Sequence, residues 1–148
     1  MFEWSRILPP RNNDYVGHPI ALWFLVLIAL RNTFRAVVHY FAPDGGSGII
    51  AGIPLETYSA GAVQAIVNSF GVYGIGHLIE AVLVWLVLFR YRSLIPFVYV
   101  CMIASEILAV FLFWWKPLPV VPPGQLGVYV LLPVSILFFL FSVRRRVP

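Results

Sequence analysis

His77 and Glu80 stand three residues apart, and Glu106 follows in a later apolar segment. On a helix, residues at this spacing share a face, so the His77 imidazole lies within hydrogen-bonding reach of Glu80. Two glutamates and a histidine with shifted pKa values could transfer protons on an apolar substrate, as an intramembrane isomerase would. A second group is cationic. Arg31, Arg35 and His39 recur every four residues, and at 100° per residue they fall within about 80° of one another. They form one stripe on one helix face. Two arginines in hydrocarbon cost roughly 2.5–3.5 kcal/mol each on insertion scales, so this stripe demands compensation.

The elements that position these groups follow from composition. The chain has 148 residues, 61% hydrophobic and 11% charged, with a mean hydropathy of +0.90. A soluble domain carries about 25% charged residues, so the bilayer is the expected solvent. Four apolar segments predict an all-α membrane protein, a four-transmembrane-helix bundle with spans at about 19–41, 60–89, 93–115 and 125–143. Residues 1–18 and 144–148 form tails, and 42–59 an external loop. Ile20 to Leu30 alone is too short to cross the hydrocarbon, so the first span is expected to continue through Arg31, Asn32, Arg35 and His39. The first 18 residues contain Arg6, Arg11 and two prolines without an apolar core, which predicts no cleavable signal peptide. Met1–Leu8 is expected as plain tail, with an interfacial turn as the alternative. Cys101 is the single cysteine, which excludes an internal disulfide and a thiolate metal cluster.

Within the second span, Ser69, Tyr73, Gly76, His77 and Glu80 lie between about 80° and 180° from Asn68 on a helical wheel. Gly71, Gly74 and Gly76 allow a neighbouring helix to approach. Glu106 is the one charge of the third span, which ends in the aromatic and basic anchor Trp114-Trp115-Lys116. The fourth span is uncharged, with an expected kink at Pro133. The loop opens with Pro43-Asp44-Gly45-Gly46-Ser47-Gly48. It lacks the Gly-Lys-Ser/Thr ending and preceding strand of a phosphate cradle, so its glycines read as turn formers.

Basic residues set the expected topology. Arg6, Arg11, Arg90, Arg92, Arg144, Arg145 and Arg146 share the side of the termini, against Lys116 alone on the other. By the positive-inside rule both termini are cytoplasmic. This distribution, rather than nucleic acid, accounts for the net charge of +4.

Counting about 1.5 Å per residue from the cytoplasmic helix ends places Glu80 roughly 14 Å deep, Arg31 and His77 18 Å, Glu106 20 Å and Arg35 24 Å. His39 approaches the outer surface. Arg31 and Arg35 are therefore expected to face Glu80 and Glu106 near the midplane, with Tyr73 and His77 beside them. Such a cluster can fix helix register alone. It can instead hold an anionic headgroup, a quinone carbonyl or another amphipathic molecule. Acid–base catalysis by Glu80, Glu106 and His77, or proton-coupled transport by a homo-oligomer, needs the same residue types. A di-iron site wants more carboxylates and a second histidine, and a bis-histidine haem is disfavoured by the roughly 12 Å depth difference between His39 and His77. No metal and no cofactor is expected, with quinone or lipid the candidate ligands. Membrane lipid, a membrane protein or a second copy are the candidate partners.

The order of a first span, a loop with Gly52-Ile53-Pro54, a second span carrying Glu80, and Arg90 or Arg92 at the next turn resembles the small DoxX-like four-helix membrane proteins of bacteria. The resemblance covers about residues 20–110 and implies that architecture in a bacterial inner membrane. One branch of that family is a quinone-reducing oxidoreductase subunit. Arg31, Arg35 and the longer glycine-rich loop depart from the pattern. The reading is a ligand-binding or accessory subunit, with a small intramembrane enzyme as the alternative.

Overall fold

The computed structural model describes residues 8–118 and 120–145. Most of the Met1–Leu8 segment, with Arg6 and Arg146, lies outside the described residues. The fold is all-helical: α1 (Pro19–Phe41), α2 (Ala60–Arg90), α3 (Ile95–Trp115) and α4 (Pro123–Val143), plus single 3-10 turns at Leu55–Thr57 and Arg92–Leu94. All four helices are long and apolar enough to cross a membrane. Their starts are encoded locally. His18 Nδ1 accepts the Ile20 amide at 3.2 Å with Pro19 in the first turn, and Ser59 Oγ accepts the Ala62 amide at 3.4 Å. α2 has 31 residues, which makes it about 46 Å long, well beyond the roughly 30 Å of a hydrocarbon core. Pro133 sits inside α4, where it withholds a helical donor from the Tyr129 carbonyl.

α1 runs along α2 on one flank and touches α4 on the other, and α3 packs on α4. α2 and α3 barely touch beyond the short turn that joins them. The apolar core lies toward the termini: Ala21, Leu25, Ile28 and Ala29 meet Val84, Val87, Leu88, Ile95, Tyr99 and Met102. Phe24 stacks on Phe138 at 4.0 Å between ring centroids. Tyr99 is fully buried and its hydroxyl donates to the Ala21 carbonyl at 2.6 Å. This bond ties α3 to α1. Tyr99→Phe should lower unfolding stability by about 1 kcal/mol, the net worth of one buried hydrogen bond, measured by thermal denaturation in detergent.

The amino-terminal segment is pinned rather than free. The Asn12 amide donates to the Arg90 carbonyl at 3.1 Å, and Asn13 Nδ2 donates to the Phe89 carbonyl at 3.2 Å. The Tyr91 hydroxyl donates to the Pro9 carbonyl at 2.7 Å. The first two satisfy carbonyls that the end of α2 leaves without helical partners.

The loop after α1 folds around Asp44. Its carboxylate accepts the amides of Gly46 at 2.8 Å, Gly48 at 3.0 Å and Ile49 at 2.8 Å. Gly45 and Gly46 take positive φ of 60° and 75° to make this possible. The Ile49 amide, helped by those of Gly46 and Gly48, holds the Asp44 carboxyl below its ordinary range. Stability from this depressed group is present above the ordinary aspartate pKa and is lost as pH falls through the lower, folded value. Asp44→Ala should therefore speed exchange of the Gly46, Gly48 and Ile49 amides by about tenfold or more. Hydrogen exchange read by mass spectrometry checks it, and acidification of the native chain should mimic it.

Candidate functional site

The polar side chains of the helices gather on the loop side of the apolar core, and Gly74 sets their register. A Cβ placed on Gly74 would lie 2.9 Å from the His39 Cβ and 3.0 Å from the Tyr40 amide nitrogen. α1 and α2 touch backbone to backbone there. With His39 level with Gly74 and the helices antiparallel, Phe89 falls level with about Phe24. The lower end of α2 thus sits roughly 7 Å above the start of α1 rather than flush with it.

This offset corrects the depth arithmetic. His39 and His77 are not separated by about 12 Å: their rings stack at 6.0 Å between centroids. His39 is buried, with Nδ1 2.8 Å from the Gly45 carbonyl oxygen. It serves the loop and joins the cluster at once. Since a carbonyl only accepts, the Nδ1 of His39 carries the hydrogen in this contact. Phe70 and Tyr73 pack against the same ring at 5.5 Å and 5.6 Å.

His77 is buried between Tyr73, 4.3 Å away edge-on, and His39. Its Nδ1 lies 3.3 Å from Glu80 Oε2. The Glu80 side chain is 43% exposed, so this carboxylate faces the open side of the bundle. Tyr73 is half exposed as well.

Arg35 reaches from α1 toward both α2 and α4. Its Nη2 lies 3.4 Å from the Tyr73 hydroxyl, its guanidinium carbon 5.5 Å from the Tyr73 ring centre, and Gly124 of α4 stands alongside. Arg31 is half-buried and donates to Asn32 Oδ1 at 3.4 Å. Glu80 on α2 and Glu106 on α3 both stand close enough to act on its charge. Yet among the described residues neither arginine comes within 4.0 Å of a carboxylate; the one close ionic contact in this cluster is His77–Glu80. The expected Arg–Glu contact pairs do not form. The glutamates meet other groups instead: Glu80 turns to His77 of its own helix, and Glu106 to Ser135 of α4.

Glu106 is buried at 8% exposure and its Oε1 accepts the Ser135 hydroxyl at 3.1 Å. Ser135 itself is fully buried in α4. Sequence reasoning passed over Ser135 because the fourth span carries no charge and no polar periodicity. The burial of Asn32, at the edge of the arginine stripe, also went unforeseen. Among the described residues no group of three metal-ligating side chains converges. A shallow groove at the loop end of α2, lined by Pro43, Gly61, Gln64 and Asn68 among others, contains none of the cluster residues.

Chemically, the arrangement offers two guanidinium donors, a histidine–carboxylate pair and a separate buried carboxyl on the loop side of the apolar core. No family model matches the chain, and neither a curated protein nor a solved structure matches it.

Proposed function

We propose that this is a multi-pass protein of a bacterial-type cytoplasmic membrane, termini inside, that binds a small amphipathic ligand in the seam between α2 and α3. In this reading Arg31 and Arg35 receive the ligand's anionic or carbonyl oxygens and its apolar part lies along the open helix faces. The protein then acts as a ligand-binding or accessory subunit. The arginine-poor termini-distal side and the resemblance to the DoxX-like proteins support the membrane and its orientation.

One observation carries the reading. Two guanidiniums lie in a spanning helix with two carboxylates in the same bundle, and no Arg–Glu contact forms among the described residues. A cluster meant only to fix helix register would neutralise itself at contact distance, because unpaired charge in hydrocarbon is expensive. Charges held apart in this way are arranged for a third party.

Native mass spectrometry from gentle detergent tests this. The protein should carry an amphipathic adduct, and Arg31→Gln with Arg35→Gln should reduce its retention about tenfold or more, the effect of losing two charge-assisted hydrogen bonds. A bare native protein, or equal retention in the double variant, would sink the reading.

The 3.3 Å contact of His77 with the half-exposed Glu80 favours a second reading. A base oriented by a carboxylate at the mouth of an apolar seam suits proton transfer on the bound molecule, with Glu106 as the opposing acid. An enzyme would show turnover of the adduct that Glu80→Gln stops without releasing the ligand.

A further inference from the structure

Two buried histidines meet across the contact of α1 and α2. His39 and His77 are 7% and 8% exposed, and their ring centres lie 6.0 Å apart. Each ring is already held by its Nδ1. His39 Nδ1 lies 2.8 Å from the Gly45 carbonyl oxygen, and His77 Nδ1 lies 3.3 Å from Glu80 Oε2. A carbonyl and an ionised carboxylate only accept, so both Nδ1 atoms carry the hydrogen and both Nε2 atoms present a lone pair. His77 Nε2 is buried without a protein partner among the described residues.

The two lone pairs converge. His39 is level with Gly74, so His77 sits nearly one turn closer to the termini, roughly 4.5 Å lower. Gly45 lies past the loop end of α1, and Glu80 lies a further turn toward the termini. The two Nδ1–H bonds therefore point away from each other along the bundle. The nitrogens of one imidazole lie on opposite flanks of the ring, which turns each Nε2 back toward the other histidine.

Metal-binding imidazoles are held in this way: a ligating histidine gives its second nitrogen to a carbonyl or a carboxylate, which fixes its tautomer and aim. The separation also fits. With metal–imidazole bonds of about 2.0 Å, a linear bridge through one ion sets ring centres roughly 6.3 Å apart, and a tetrahedral one roughly 5.1 Å. The observed 6.0 Å lies closer to the linear case. Coordination number then selects the ion. Among the described residues no group of three histidine, cysteine or carboxylate side chains is placed to hold a metal, whereas zinc takes four ligands and copper(II) or nickel(II) a square of four. Arg35, bonded to the Tyr73 that packs on both rings, opposes a divalent ion more than a monovalent one. Copper(I) is monovalent and is satisfied by two imidazoles in line. A bis-histidine haem does not fit, because the backbones of α1 and α2 touch at Gly74 and leave no room for a porphyrin.

We propose that His39 and His77 bind one copper(I) ion through their Nε2 atoms, aimed by the Gly45 carbonyl and by Glu80. This site goes beyond the ligand-binding reading and does not depend on it. It competes with the proton-transfer reading, because an ion on His77 Nε2 takes the lone pair that a base would use.

The test is anaerobic titration of the full chain in detergent with copper(I) against a chromogenic chelator. Cys101→Ser is the background, since that exposed thiol binds the same ion. Silver(I), redox-inert and of the same charge, is the second probe. Each ion should be retained at one per chain and should raise the melting temperature, and X-ray absorption at the copper edge should show two nitrogen neighbours and no sulfur. Glu80→Leu should weaken retention about tenfold to a hundredfold. His77→Phe keeps a ring in place but removes a ligand, and should weaken it further. His39→Gln gives the same readout should His77→Phe fail to fold, and the absorption spectrum needs no histidine variant. No retained ion, undiminished retention in the histidine variants, or a sulfur-bound spectrum would overturn the inference. Zinc(II) held as tightly as copper(I) would overturn the two-coordinate assignment.

Discussion

Gly74→Val should lower the thermal stability of the purified protein by several degrees, whereas Gly76→Val should leave it nearly unchanged. The two glycines lie two residues apart in one helix, so propensity and depth are matched. What differs is the neighbour. A Cβ on Gly74 meets the His39 Cβ at 2.9 Å, the Tyr40 nitrogen at 3.0 Å and the His39 carbonyl carbon at 3.1 Å, while a Cβ on Gly76 meets nothing within 4 Å. Two of the three obstacles on Gly74 are backbone, which cannot swing aside. Side chains forced into such a contact typically cost about 1–3 kcal/mol. The helices must separate, and with them His39 from His77. Thermal unfolding of both variants in one detergent measures the contrast, and ligand retention should fall in Gly74→Val alone. Equal behaviour of the two variants would mean that Gly74 does not set the α1–α2 register.

Arg31→Met with Arg35→Met should change stability in opposite directions in two media. In detergent free of phospholipid the variant should melt higher than the native chain, because two charges without carboxylate contacts leave an apolar setting. Roughly 2.5–3.5 kcal/mol per arginine is the upper bound from insertion scales. Arg35 should contribute less than Arg31, since the Tyr73 hydroxyl and ring attend it. When phospholipid is added, the native chain should gain stability by about 2.7 kcal/mol at a hundredfold excess over Kd, and the variant should gain little. Two melting curves per protein decide it. A variant that melts lower in both media would show that the arginines serve the fold and not a ligand.

Composition and segment length made the four helices legible, because bilayer-length apolar runs leave few other options. The shared face of Tyr73, His77 and Glu80 followed from spacing along one helix. Relations between helices were less accessible. Depths counted from helix ends assume flush ends, and nothing local to α1 or α2 encodes their offset. It is settled by which of Gly71, Gly74 and Gly76 meets a partner, a property of the pair. The absence of Arg–Glu contact likewise depends on what each glutamate meets in the assembled bundle, as Glu106 meets Ser135 of α4, rather than on residue types. Ser135 was invisible for a different reason: a single hydroxyl in an apolar run has no periodicity until a partner helix is placed beside it. In the loop, the turn residues announced the bend, but three amides converging on one carboxylate depend on backbone angles.

The distribution of packing has a mechanical meaning. Toward the termini the four helices are clamped by large interlocking side chains, by the Tyr99–Ala21 bond and by the amino-terminal segment bolted across the α2–α3 turn. Among the described residues α2 packs chiefly on α1, and on α3 hardly at all beyond their turn. The molecule is thus a pair of tongs, rigid at the pivot and compliant at the jaws. Helices that barely touch part more easily than helices packed along their length, so opening motions run between α2 and α3, beyond their turn. An object entering sideways from the bilayer would have to bend only one arm.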